Sequence, residues 1–183
     1  MAKTLIFLAD GFEEIEALTV VDLLRRAGIE ITMVSIMGRK SVTGSHKITV
    51  EADALLEEAD FEGADMLILP GGMPGTGNLF ECDVLKEKIK EFHDSNKLLA
   101  AICAAPTVYG RMGLLEGVRA CCYPGCEKDL KGADVQTTEV TMDGNFITSR
   151  GMGTAIPFGL AIIEKFMGKE ASDSMAEKIV FKC

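Results

Sequence analysis

The stretch KTLIFLADGFEEIEALTVVDLLRRAGIEITMVSI, Lys3 to Ile36, decides the fold. Lys3–Ala9 is an apolar run of strand length with no helical periodicity, so it reads as a buried strand. The period then changes. Ile15, Leu18, Val21 and Leu24 recur at helical spacing. Arg25 and Arg26 fall in the last turn and Gly28 follows, which is a helix stop. IEITMVSI is a second apolar strand. A buried strand, a helix and another buried strand make a parallel crossover unit, and such a sheet needs cover on both faces.

The rest of the chain repeats the alternation. ADMLILP reads as a third buried strand, CDVLKEKIKEFHDSN as an amphipathic helix and KLLAAI as the next strand. AAPTVYGRMGLL follows as a helix. SVTGSHKITVEAD reads as a hairpin turning near Gly44. VRACCY and VQTTEVTMDGNFITS read as strands, the latter turning at Asp143-Gly144. The stretch from Thr154 to Val180 forms one or two helices, with Pro157 in a first turn where proline is tolerated. The expected fold is α/β, one domain over 1–183, with a mostly parallel sheet and helices on both faces.

Composition narrows the function. The chain has 183 residues, 48% of them hydrophobic, and 19 basic against 28 acidic residues give a net charge of −9. That charge repels phosphate backbones and anionic lipid, so neither nucleic acid nor membrane is an expected partner. No apolar run approaches a membrane span, and MAKTLIFLADG reads as a strand rather than a signal peptide. A cytoplasmic location is the expectation. The six cysteines are expected to be mostly free thiols in a chain able to build its own core. CCYPGC (Cys121, Cys122, Cys126) lacks the paired ligand spacing of a zinc site, so no metal is expected.

In open α/β sheets ligands bind beyond the carboxyl ends of the strands, so three strand ends carry the chemistry. The first is LADGFEEIEAL. Glu13 and Glu14 are accounted for by the positive end of a helix. Glu16, beside Ile15 and one turn before Val20, is placed to point inward over the sheet. The second is LILPGGMPGTGNLF. It is neither a P-loop nor a dinucleotide fingerprint, but its glycines allow a turn that exposes backbone N–H groups to an oxyanion. The third is AAICAAPTVYG, which sets Cys103 between a strand and a helix whose first turn holds Pro106. A thiol there faces a helix N-terminus, which favours thiolate, and the arrangement follows the logic of a nucleophile elbow. Of the two histidines, His93 lies on a polar helix and His46 in the hairpin, so no Cys-His dyad is evident within one subunit.

GFEEIEA, RRAG, LPGG, AAICAAP, TSRGMGTA and the late GKE occur in one order along essentially the whole chain. Together they resemble the ThiJ/PfpI superfamily, and in particular its Parkinson disease protein 7 clade. The resemblance implies a flavodoxin-like three-layer sandwich and a homodimer. It implies that Cys103 is the reactive thiol and that Glu16 is a protonated acid hydrogen-bonded to its sulfur. It also implies that the backbone N–H groups of Gly71, Gly72 and Ala104 line the pocket, and that Cys103 oxidises readily to sulfinic acid.

The chain departs from that pattern in places. Tyr123 stands where some members carry a histidine near the cysteine, and a tyrosine is a poor base near neutral pH. His46 stands where an arginine occurs at the dimer interface, and is expected to form an anion-accepting rim. Arg26 and Arg150 are further candidates for the pocket or dimer rim. Ala104 replaces the histidine that peptidase-like relatives place after the cysteine, which argues against a triad.

The resemblance leaves two activities. One is cofactor-independent conversion of methylglyoxal or glyoxal to the hydroxy acid, or removal of their early adducts from thiols and amines, with Cys103 forming a hemithioacetal and Glu16 moving the proton. The substrate is then a small aldehyde or a glycated compound. The other is a redox-sensing, stress-protective or chaperone-like role through oxidation of Cys103 without turnover. A thiamine-pathway or peptidase role finds no phosphate loop and no triad.

Overall fold

The computed structural model describes residues 2–181. Its strands are β1 (Lys3–Leu8), β2 (Glu30–Ser35), β3 (Ser41–Thr43), β4 (Thr49–Glu51), β5 (Ala54–Leu55), β6 (Met66–Leu69), β7 (Leu98–Ile102), β8 (Arg119–Ala120), β9 (Asp134–Val135), β10 (Val140–Asp143) and β11 (Phe146–Ser149). Its α-helices are α1 (Glu14–Ala27), α2 (Gly75–Glu81), α3 (Asp83–Asp94), α4 (Pro106–Arg111), α5 (Ala155–Met167) and α6 (Lys169–Lys178).

Seven strands form the main sheet in the order β10-β11-β7-β6-β1-β2-β5. All neighbours run parallel except β10 and β11, which the Asp143-Gly144 turn joins as a hairpin. Alternation along β1 sorts the core into two layers. Ile6 and Leu8 pack with Ala17, Val20 and Leu24 of α1 and with Phe158 and Ile162 of α5. Leu5 and Phe7 pack with Leu85, Ile89 and Phe92 of α3 and with Val108 and Tyr109 of α4. The result is the three-layer α/β sandwich of flavodoxin-like type. Among the described residues no helix is long and apolar enough to cross a membrane.

The differences from the sequence reading are local. The buried face of α1 runs through Glu16, Ala17, Val20, Leu23 and Leu24, while Ile15 points out and is 49% exposed. Val21 and Leu24 of the expected stripe are buried and Leu18 packs against the core, but Glu14 and Glu16 occupy inward positions at the start of the helix in place of Ile15. The glycine stretch holds the short helix α2 rather than a bare turn. The helix after Cys103 stops at Arg111, and β8 and β9 pair only with each other. The hairpin expected near Gly44 is present as β3–β4, an antiparallel pair separate from the main sheet and turning over Gly44 to Ile48.

Candidate active site

Cys103 follows the last residue of β7 and holds a left-handed backbone, φ 65°. That region costs a non-glycine residue about 1–3 kcal/mol and is retained where the surroundings fix it. Two main-chain bonds do so: Cys103 N–H donates to Ser149 O at 3.0 Å, and Tyr123 N–H donates to Cys103 O at 2.7 Å. Beneath, the fully buried Tyr109 of α4 donates its hydroxyl to Ala100 O at 3.0 Å, tying the helix after the bend to the strand before it. The elbow therefore holds the thiol above the carboxyl end of the sheet.

Glu16 meets it from α1. Its side chain is 1% exposed, and Gly71 N–H donates to its Oε2 at 3.0 Å. A Cβ on Gly71 would stand 2.6 Å from both Cys103 Cβ and Glu16 Oε2, so only glycine fits between them. Gly72 is fixed by its backbone, φ 93°, and by Glu13 N, which occupies the place of its Cβ. The N–H groups divide their work. Gly71 serves the Glu16 carboxyl, whereas those of Gly72 and Ala104 serve the Cys103 sulfur. Gly71 therefore offers no free donor to an oxyanion.

Burial raises Glu16 to about 7, opposed by the hydrogen bonds from Cys103 and Gly71. Burial also pushes the Cys103 thiol up, and the Glu16 charge and hydrogen bond push it further, against the N–H groups of Ala104 and Gly72. The expectation that the helix end alone favours thiolate is corrected here, since burial outweighs it. The two groups titrate as a pair. The pair gives up one proton near neutral pH and holds the second much more tightly. Thiol with carboxylate and thiolate with carboxylic acid are two tautomers of that one singly charged state.

A cavity of about 320 Å³ opens beside Cys103, lined also by Ala104, Thr76, Arg111, Cys126 and Asp129. Arg111 and Asp129 form an ion pair at 3.1 Å on its wall. Ala104 is a pocket residue expected from the sequence; Thr76, Arg111, Cys126 and Asp129 are not. Thr76 lay within the glycine stretch already singled out, but α4 had to be placed before Arg111 could be brought round to Cys103.

The remaining candidates fall elsewhere. The Tyr123 ring, half exposed, stands at the cavity edge and borders a neighbouring groove that Arg150 also lines. Arg150 donates to Thr137 O at 3.3 Å. Arg26 lies at the far end of α1, exposed and paired with Asp22 at 2.6 Å, away from the thiol. His46 is exposed and faces acids: its Nδ1 is 3.0 Å from Glu14 and 3.6 Å from Glu13. A ring already between two carboxylates does not form an anion-accepting rim. Glu14 is also more than a helix-end charge. It is 2% exposed and accepts from the His46 N–H at 2.8 Å, so it anchors the hairpin. The ligand atoms of Glu13, Glu14 and His46 lie within 4.8 Å of one another, the one such group among the described residues. Cys121 and Cys122 are buried, and Cys82 and Cys126 are partly buried free thiols. Cys183 lies outside the described residues.

Known proteins share this arrangement of chain and fold. The DJ-1/PfpI family model matches residues 2–165. The Parkinson disease protein 7 homolog of Danio rerio is 36% identical over 184 residues, covering 98% of this chain and 97% of that protein. Protein DJ-1 homolog B of Arabidopsis thaliana is 37% identical over 182 residues, covering 98% of this chain but 42% of its own length. The chain thus spans under half of that plant relative. A Pyrococcus abyssi protein named as a deglycase is 36% identical over 154 residues, 82% of this chain and 91% of that protein. The structure of oxidized Toxoplasma gondii DJ-1 aligns at a TM-score of 0.96 and 33% identity, with 100% of both chains covered. The match across residues 2–165, with relatives of this identity over nearly the full chain, means that the chain belongs to the DJ-1/PfpI family.

Proposed function

We propose that this protein converts small α-oxoaldehydes, methylglyoxal and glyoxal, to the corresponding hydroxy acids without a cofactor, or removes their early adducts. The observation that carries the reading is the buried Glu16 carboxyl against Cys103, on a cavity sized for a small ligand. The Pyrococcus relative named as a deglycase supports the same class of chemistry.

The reactive tautomer is thiolate with carboxylic acid. The Cys103 sulfur adds to the aldehyde carbon, the carbonyl electron pair moves to oxygen, and that oxygen takes a proton, giving a hemithioacetal. The N–H groups of Gly72 and Ala104, which already serve the sulfur, lie beside the charge that develops. Glu16, as carboxylate, then takes the hydrogen on the former aldehyde carbon as a proton and returns it to the neighbouring carbon. One carbon is oxidised and the other reduced, so no external electron acceptor is needed. Water hydrolyses the resulting thioester, releasing the hydroxy acid and restoring the thiol. A carboxyl raised to about 7 is suited to both halves of this transfer.

A redox-sensing role is the second reading. It is favoured by the partial exposure of Cys103 and by the Toxoplasma relative whose structure is that of the oxidized protein. One experiment separates the two: lactate formed from a large molar excess of methylglyoxal, for the wild type and Cys103→Ser. Many equivalents from the wild type and none above background from the variant support the enzyme. Product limited to one equivalent per Cys103 refutes it and leaves the redox role.

A further inference from the structure

Cys126 lines the same cavity as Cys103. No other cysteine among the described residues does so; Cys121 and Cys122 are buried beneath the sheet edge at 0% and 2% exposure. A short path of main-chain bonds ties the two thiols together. Tyr123 N–H donates to Cys103 O at 2.7 Å, and Cys126 N–H donates to Tyr123 O at 3.0 Å. Residues Tyr123, Pro124, Gly125 and Cys126 therefore form a β-turn whose first residue is pinned to the reactive cysteine. A β-turn brings its first and last Cα atoms within about 7 Å.

The turn lies at the surface, with Gly125 N–H donating to the exposed Glu127 Oε2 at 2.7 Å. Tyr123, Pro124 and Gly125 are exposed, and nothing lies within 4 Å of where a Cβ on Gly125 would stand. Gly125 has φ 95°, where glycine alone pays no steric penalty, so it is a natural pivot. Surface turns with few packed contacts open at little cost. Cys103 and Cys126 line one cavity, so an inward movement of the turn carries Cys126 toward Cys103 across it.

We propose that Cys126 is the resolving thiol of Cys103: after a peroxide oxidises Cys103, Cys126 closes on it as a disulfide. The steps balance. The Cys103 thiolate attacks the peroxide oxygen, the O–O bond breaks, and the departing oxygen takes the proton held by Glu16 and leaves as alcohol or water, so Cys103 becomes a sulfenic acid. The Cys126 thiolate then attacks the Cys103 sulfur, the S–O bond breaks, and the hydroxyl departs as water with the proton from Cys126. Two thiols and one peroxide give a disulfide, one alcohol or water, and one further water. The disulfide stops the oxidation ladder before the sulfinic acid, so a thiol reductant restores the site. This rests on Cys103 being the reactive thiol, as in the function proposed above, but not on aldehyde turnover.

The test is peptide mapping by mass spectrometry under non-reducing conditions after three equivalents of hydrogen peroxide. The wild type is expected to yield a Cys103–Cys126 linked peptide that dithiothreitol removes. Cys126→Ser and Cys126→Ala are expected to yield Cys103 sulfinic acid instead, with at least a fivefold gain in sulfenic acid trapped by dimedone. Cys103 reaching sulfinic acid in the wild type with Cys126 still a thiol would overturn the proposal. So would a disulfide between Cys126 and any other cysteine. Methylglyoxal turnover is assayed on the same samples. Its absence alongside a Cys103–Cys126 disulfide would count against the enzyme and leave the resolving role standing.

Discussion

Gly71 and Glu16 are joined by a 3.0 Å hydrogen bond from the glycine N–H to the buried carboxyl, and the glycine has no room for a Cβ because Cys103 and Glu16 occupy its place. Gly71→Ala must push the thiol and the carboxyl apart, since the atoms met at 2.6 Å include a Cβ fixed by backbone. We expect at least a tenfold loss in kcat/KM for methylglyoxal with the far-UV circular dichroism unchanged. Full activity in the variant would show that the pair tolerates separation and does not act as a unit.

Glu16 also links stability to pH. Its folded value of about 7 lies above the ordinary 4.5, so between those values the folded state keeps a proton the unfolded chain has lost. Stability from this group is complete below about pH 4.5 and is lost as pH rises through about 7. A difference of that size corresponds to about 3 kcal/mol. Glu16→Gln keeps the size and removes the charge. Urea unfolding at a series of pH values should show a smaller decline between pH 5 and 7 in the variant, by about 2 kcal/mol. Parallel curves for the two proteins would mean that Glu16 is ionised at rest.

The strained backbone of Cys103 gives a prediction for stability alone. At φ 65° an L side chain is strained and glycine is not. Cys103→Gly should therefore be more stable than Cys103→Ala by about 1 kcal/mol, although both lack the thiol and all activity. Thermal unfolding of the two variants tests this. An alanine variant as stable as the glycine one would mean that the bend relaxes once the sulfur is gone.

How far the sequence spoke depended on what kind of signal each residue left. Buried parallel strands leave long aliphatic runs, so β1, β2, β6 and β7 and the helices between them were legible. Cys103 was legible because a cysteine between a strand and Ala-Ala-Pro can hardly be anything but a bend. Glu16 was legible only as a carboxylate at an inward helical position; its partner came from the family resemblance. Glu14 was misread because a glutamate in a first helical turn already has an adequate electrostatic explanation, and its real partners, His46 and Ile48, lie on a hairpin some thirty residues on. Of the cavity wall, Gly72, Ala104 and Tyr123 were legible through the family resemblance, and the far side was not. Arg111, Cys126 and Asp129 come from α4 and the loops after it, and only the packing of those elements brings them beside Cys103.

The Glu14–His46 contact makes the last prediction. Burial opposes the Glu14 charge, but its bonds to the His46 ring and to the backbone N–H groups of His46 and Ile48 outweigh it, so its pKa falls below 4.5. The Glu14 hydrogen bond and the charges of Glu13 and Glu14 raise His46 above 6.5. Glu14 therefore supports the fold above about pH 4.5 and loses that support as pH falls through its lowered value. His46 supports it fully below about pH 6.5 and loses that support as pH rises through its raised value. The tie between α1 and the hairpin is strongest between those limits. In Glu14→Gln the His46 ring should titrate at lower pH than in the wild type, read by NMR of the ring protons. The amide protons of His46 and Ile48 should exchange faster, because they lose a charged acceptor. An unchanged His46 titration would show that Glu13 alone supports the ring, and that Glu14 is buried there for its backbone contacts only.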